Sequence, residues 1–193
     1  MIYSPKILSR IVNCLAEGGV IIFPTETVMA LACDATNAEA VQKIYHLKKR
    51  DSKKPLAVLM ADVFQALDYV EISSKWLKLI NQYSPGPVSY VLPVKATSDI
   101  CPEILHNGTL SIRIPDHQIA AEILASYQHP LVGTSVNLAG ENSALIEKDI
   151  PQNIRDNVDL VVGGDKPAYG IASTVLDLSM DSPRIIRQGA VLL

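Results

Sequence analysis

Most motifs that announce a chemistry are missing from this sequence. Its three cysteines, Cys14, Cys33 and Cys101, are odd in number, widely spaced and never form C-x-x-C. That pattern suits free thiols in a reducing cytoplasm and offers no zinc site. The four histidines, His46, His106, His117 and His129, are scattered, without H-E-x-x-H, so the residues give no metal centre. No G-x-x-x-x-G-K-[ST] phosphate loop occurs, and no G-x-G-x-x-G follows a strand. Gly133-Thr134-Ser135-Val136-Asn137 lacks the second glycine of a nucleophile elbow, and with no histidine partner in view nothing signals covalent catalysis. Aromatic residues are only 5% of the chain, too few for extended base-stacking surfaces. No apolar run reaches membrane-spanning length and no signal-peptide core is visible, so the expectation is a soluble cytoplasmic protein with no membrane partner.

With 193 residues, 48% of them apolar and 19% charged, the chain reads as one globular domain over residues 1–193. Its formal net charge of −3 argues against nucleic-acid binding by overall field. One stretch departs from that average. LKKRDSKKPL, residues 47–56, holds Lys48, Lys49, Arg50, Lys53 and Lys54, five of the 17 lysines and arginines. Taken alone it reads most economically as a solvated helix end, with a nucleic-acid patch or one wall of an anion site as the alternatives.

Helical spacing of Ile7, Leu8, Ile11, Val12 and Leu15 follows Ser4-Pro5 and stops at Gly18-Gly19. Strands are expected over 20–23, 29–33 and 56–60, in VSYVLPV, LSIRIP, PLVGTSVN and DLVVGG, and in STVLDL and RIIRQ. Thr36 with Glu39 forms a capping-box pattern opening a helix with Val41, Ile44 and Leu47 on its buried side. Further helices fit 61–69, 74–83 (capped by Ser73 or Ser74), HQIAAEILASY and 151–157, and SPGP at 84–87 must turn. Several strands are joined by loops too short for a crossover helix. The fold class is therefore α/β, an open mixed sheet with flanking helices rather than an all-parallel one.

Four segments put polar groups where apolar strands meet loops: 24–35, the basic cluster, 133–143, and 172–178 with Arg187 behind it. Each has an ordinary explanation. Hydroxyls after strands are turn residues, and cations at a helix C-terminus meet the dipole. Arg113, between Ile112 and Ile114, reads as an edge-strand residue turned to solvent. Together the same groups would suit phosphate oxygens, but spacing alone does not bring them together.

PTETV…ALACDA, Lys48-Lys49-Arg50, KKPLAVL, PGPVSYVL, SIRIPDH, TSVNLAG, ASTVLDL and RQGAV occur in the order of the YrdC-like family. The chain resembles its short, single-domain bacterial form from about residue 10 to 191. The resemblance implies a twisted sheet around a concave basic cavity. It implies the joining of L-threonine, bicarbonate and ATP into threonylcarbamoyl-adenylate with release of pyrophosphate, for N6-threonylcarbamoyladenosine at position 37 of tRNA. By the same resemblance Lys48 and Arg50 are the charge-stabilising pair, and with Ser135 and Asn137 they hold the nucleotide. Lys54, Thr109, Ser143 and Arg187 add ATP contacts, while Thr27, Leu59, Arg113, Gly133 and Ser173 hold threonine. Mg²⁺ would come on the phosphates rather than on protein ligands. TsaB–TsaD–TsaE type proteins are the implied partners, with weak contact to tRNA or double-stranded RNA. An RNA-binding module using the same cavity and a paralogue that processes the adenylate stay open as alternatives.

Departures from the family pattern carry expectations too. Met29-Ala30 replaces an aromatic residue and a glycine, which should loosen a wall and restrict the backbone. Leu59 allows only apolar or backbone contact, Val136 and Ala139 replace smaller residues, and Asp51 replaces a frequent proline.

Overall fold

The computed structural model describes residues 4–52, 54–138 and 140–193; Lys53 of the basic cluster and Ala139 of TSVNLAG lie outside them. The helices are α1 Pro5–Ala16, α2 Ala38–Lys48, α3 Val63–Tyr69, α4 Ser74–Tyr83, α5 Gln118–Tyr127 and α6 Gln152–Arg155. The strands are β1 Ile21–Phe23, β2 Ala30–Asp34, β3 Ala57–Leu59, β4 Val88–Pro93, β5 Thr109–Arg113, β6 Leu131–Ser135, β7 Leu160–Val161, β8 Thr174–Asp177 and β9 Arg184–Arg187. They form one sheet in the order β7-β1-β2-β6-β3-β5-β4-β8-β9. The pairs β1/β7, β3/β5 and β4/β8 are parallel and the others antiparallel, the mixed arrangement expected from the short loops.

Local chemistry sets the element ends. Ser4 is extended ahead of α1 but makes no side-chain capping bond, and Gly18 at φ +74° ends the turn behind that helix. The Thr36 capping box does not form. Asn37 caps α2, accepting from the Ala40 amide at 3.0 Å, because the Thr36 hydroxyl is drawn back to Asp34 Oδ1 at 2.7 Å. Ser73 caps α4 by accepting from the Trp76 amide at 3.4 Å. Helix α2 ends where Lys49 turns left-handed, at φ 47°, and its amide closes on the His46 carbonyl.

Strand alternation divides the sheet into two unlike faces. On one, Leu31, Val58, Tyr90, Leu92, Ile112 and Val132 are fully buried under Val41 and Ile44 of α2 and Trp76 and Ile80 of α4. Each aliphatic chain sealed there contributes about 1.5–3 kcal/mol. The other face is covered only at its β1–β2–β6 end, by Ile11 and Leu15 of α1 and Ala120, Ile123 and Leu124 of α5. Its middle stays open.

Candidate functional site: a cationic cavity on the open face

The uncovered middle of the sheet is the floor of a cavity of about 370 Å³. Small and hydroxyl side chains, Ala57 on β3, Ser89 on β4, Ser111 on β5, Gly133 and Ser135 on β6 and Ser173 before β8, share that floor with the apolar Leu59, Val91 and Val175. Gly133 must be small, since a Cβ there would meet the Leu59 side chain at 2.4 Å. The wall from the β1–β2 loop is braced internally. Thr25 donates to the Val28 carbonyl at 2.7 Å and shares a 2.9 Å hydrogen bond with the Thr27 hydroxyl.

Arg50, Arg113 and Arg187 are the only charged residues in the lining among the described residues; no carboxylate joins them. Each guanidinium is clamped along one edge. In Arg50, Nε and Nη2 donate to the carbonyls of Lys54 (3.4 Å) and Pro55 (3.1 Å). In Arg187, Nε and Nη2 both donate to the Ser173 carbonyl (3.1 and 2.8 Å), and Nη2 also reaches the Ser173 hydroxyl at 3.2 Å. In Arg113, Nε donates to the Gly86 carbonyl at 3.3 Å and Nη2 to Thr25 Oγ1 at 3.4 Å, while Glu26 pairs with Nη2 at 2.7 Å. Nη1 of all three has no protein partner among the described residues, so each arginine keeps a two-proton donor for a ligand. Burial first, then the charges of Arg113 and Arg50, hold Arg187 below the usual arginine range, a sign that the three converge. Such a set of forks suits phosphate and carboxylate oxygens.

Lys48 lies behind this surface. It is 2% exposed and outside the lining, and its three ammonium protons go to the Ser135 carbonyl, the Asn137 carbonyl (3.0 Å) and Asn137 Oδ1 (2.9 Å). Ser135 Oγ donates to the same Oδ1 at 2.6 Å. The lysine thus staples the S-x-N segment to the end of α2. Burial, and secondarily Arg50, brings its pKa down to about 8.

Of the residues singled out by sequence, Thr27, Arg50, Leu59 and Arg113 line the cavity, as do Gly133, Ser135, Ser173 and Arg187. Lys48 and Asn137 reach it through Ser135. Thr109 stands on the same face of β5 as Ser111 and Arg113 but beyond the lining, its hydroxyl donating to the His106 carbonyl at 2.7 Å. Lys54 is exposed and contributes its carbonyl to the Arg50 clamp; Ser143 is half-buried in the loop before Ala144. Arg113 is not an edge residue turned to solvent. Strand β5 is interior, between β3 and β4, and Arg113 is only 8% exposed. Ala30 restricts no backbone, because it sits in β2 paired with Ser135, in a conformation that does not call for glycine. Ser89 and Ser111 were not singled out, although the alternation of serine with large apolar residues in VSYVL and LSI was a usable signal.

A family model described as telomere recombination, the Sua5/YciO/YrdC domain, matches residues 13–189. The chain belongs to the Sua5/YciO/YrdC family. It is 33% identical over 179 residues to a threonylcarbamoyl-AMP synthase of Bacillus subtilis, covering 92% of this chain and 51% of that protein. It is 30% identical over 181 residues to one of Pyrococcus abyssi, covering 92% and 52%. The chain thus spans about half the length of these two Sua5/YciO/YrdC relatives. A putative threonylcarbamoyl-AMP synthase of Methanocaldococcus jannaschii is 29% identical and 87% covered. Among solved structures, P. abyssi Sua5 complexed with L-threonine superimposes with a TM-score of 0.90 at 26% identity, over 98% of this chain and 57% of that one. Escherichia coli YciO shares the fold with a TM-score of 0.85 at 22% identity, over 98% and 95%.

Proposed function

We propose that this Sua5/YciO/YrdC chain is a threonylcarbamoyl-AMP synthase, using L-threonine, bicarbonate and ATP, and that residues 1–193 act as one domain. The observation that carries the reading is the trio of half-clamped guanidiniums over a floor rich in small and hydroxyl side chains. It is a receptor for anions without a nucleophile–base pair. The names of the relatives and the L-threonine complex of one of them support the same choice of substrates.

In this reaction the threonine amine and bicarbonate lose water to give a carbamate. A carbamate oxygen then attacks the α-phosphorus of ATP, and the bond to the β-phosphate oxygen breaks as pyrophosphate leaves with the charge. No enzyme nucleophile is needed; the protein's share is placement and charge stabilisation. Arg113 takes the threonine carboxylate on its free Nη1, with Thr27, Leu59, Gly133 and Ser173 around the rest of the amino acid. Arg50, Arg187 and Ser135 face the phosphates, and Lys48 with Asn137 fixes Ser135 from behind. Lys54, Thr109 and Ser143 extend the nucleotide path beyond the cavity. Mg²⁺ would enter as part of the MgATP substrate, held mainly by the phosphates rather than by protein ligands.

The product would pass to TsaB–TsaD–TsaE type proteins for tRNA modification in the cytoplasm. No helix among the described residues is long and apolar enough to cross a membrane. The RNA-module alternative gains nothing from the lining, which offers no aromatic ring for a base to stack on among the described residues.

The test is pyrophosphate release with ATP, bicarbonate and L-threonine supplied together and singly. Release should require all three and fall by about 100-fold or more in Lys48→Ala/Arg50→Ala. Release that ignores threonine, or that persists unchanged in the double variant, would sink the reading.

A further inference from the structure

Glu26 is the one acid paired with an arginine of this cationic site among the described residues, and the roles described so far do not use it. It is 5% exposed, and neither carboxylate oxygen accepts a well-directed hydrogen bond among the described residues. Its 2.7 Å contact with Arg113 Nη2 is therefore an ion pair without hydrogen-bond geometry, between groups 5% and 9% exposed. A buried pair of this kind is a poor source of stability, because desolvating both charges offsets most of their attraction. Its geometric effect is definite. With Nε on Gly86 and Nη2 held by Thr25 and Glu26, the guanidinium cannot rotate, and only Nη1 is left for a ligand.

The surroundings keep Glu26 dedicated to this task. Arg113 is the one cation paired with it among the described residues. His117 stands near it at the start of α5, its Nδ1 buried without a partner. Burial holds the imidazole pKa below the usual histidine range against the opposing pull of Glu26, Asp165 and Asp116. The Glu26 backbone is also tied, its carbonyl accepting from the Tyr169 amide at 3.0 Å.

We propose that Glu26 is a positioning residue: its buried carboxylate fixes Arg113 so that Nη1 faces the cavity as the receptor for the amino acid's carboxylate. This rests on the reading of Arg113 given above. Glu26 touches no substrate atom, and its removal should act on one ligand only.

Calorimetric titration of the full chain, in wild-type and Glu26→Gln forms, with L-threonine, L-threoninamide and ATP tests this. Glu26→Gln should weaken L-threonine binding by about tenfold or more while changing L-threoninamide and ATP by less than about twofold. Glu26→Asp keeps the charge but shortens the reach, and should lose about threefold to tenfold for L-threonine alone. Should Glu26→Gln fail to fold by circular dichroism, the Asp variant decides. Undiminished L-threonine affinity in the folded variants, or equal losses for L-threonine and its amide, would overturn the role of Glu26 while leaving the wider reading intact. A wild-type protein that binds no L-threonine would overturn both.

Discussion

Along β5, Leu110 and Ile112 point into the closed face of the sheet, while Thr109, Ser111 and Arg113 stand on the open one. The same contrast runs through β4, with Tyr90 and Leu92 against Ser89 and Val91, and through β6, with Val132 against Gly133 and Ser135. One backbone thus serves two purposes by parity alone. The face that carries large side chains is sealed by helices. The face that mixes small and hydroxyl side chains with Leu59, Val91 and Val175 is left concave in its middle, and its charge enters from the ends of the strands and the loops beside them. Stability and ligand chemistry are consequently separable here to an unusual degree, residue by neighbouring residue.

The sharpest test of that separation takes adjacent positions. Ile112→Ala should cost about 2–5 kcal/mol in urea unfolding, because it leaves a void in the closed core. Ser111→Ala, one residue away, should cost under about 1 kcal/mol. Comparable losses would mean that the two faces are not energetically distinct.

Lys48 crosses the boundary, being buried like a core residue but serving the open face. Its pKa of about 8 in the folded chain lies below the ordinary 10.5. Below pH 8 both folded and unfolded chains hold the proton, and the burial cost is fully felt. As pH rises from about 8 to 10.5 only the unfolded chain keeps it, so the contribution of Lys48 becomes more favourable. The stability difference between wild type and Lys48→Met should therefore shift toward wild type by up to about 3 kcal/mol over that window. The subtraction removes the tyrosines and cysteines that titrate alongside. A pH-independent difference would place the lysine in a more polar setting than its contacts indicate.

A further effect concerns the packing of the floor itself. Gly133→Ala should cost about 1–3 kcal/mol, because its Cβ would meet Leu59 at 2.4 Å. Most of that cost should vanish when the change is made on a Leu59→Ala background, as thermal unfolding of Leu59→Ala with and without Gly133→Ala would reveal. An unrelieved penalty would mean that the clash is borne by the backbone instead.

Much of this was legible beforehand. Short apolar runs marked the strands, the Ser73-Ser74 pair marked the start of α4, and the ordered motifs marked the family. The misjudgements have physical causes. Asn37 outcompeted Thr36 as a cap because Asp34 offered the threonine hydroxyl a nearer acceptor. Arg113 looked like an edge residue because its strand's neighbours, β3 and β4, are not jointly visible from local pattern. Convergence of Arg50, Arg113 and Arg187 depends on the β6-β3-β5-β4-β8-β9 order, and no spacing along the chain encodes that order. The division of the basic cluster was hidden for a related reason. Lys48 and Arg50 are two residues apart, yet the left-handed turn at Lys49 sends one inward and the other to the cavity.

The arginine clamps have an evolutionary corollary. Arg50 is held by the main-chain oxygens of Lys54 and Pro55, and Arg187 chiefly by that of Ser173. Every residue type supplies a carbonyl, so substitution at position 54 leaves that grip in place as long as the loop keeps its path. Two of the three charges are thus insured against drift in their neighbours' identities. Arg113, which relies on the side chains of Thr25 and Glu26 as well as the Gly86 carbonyl, is the one whose orientation point mutation can retune.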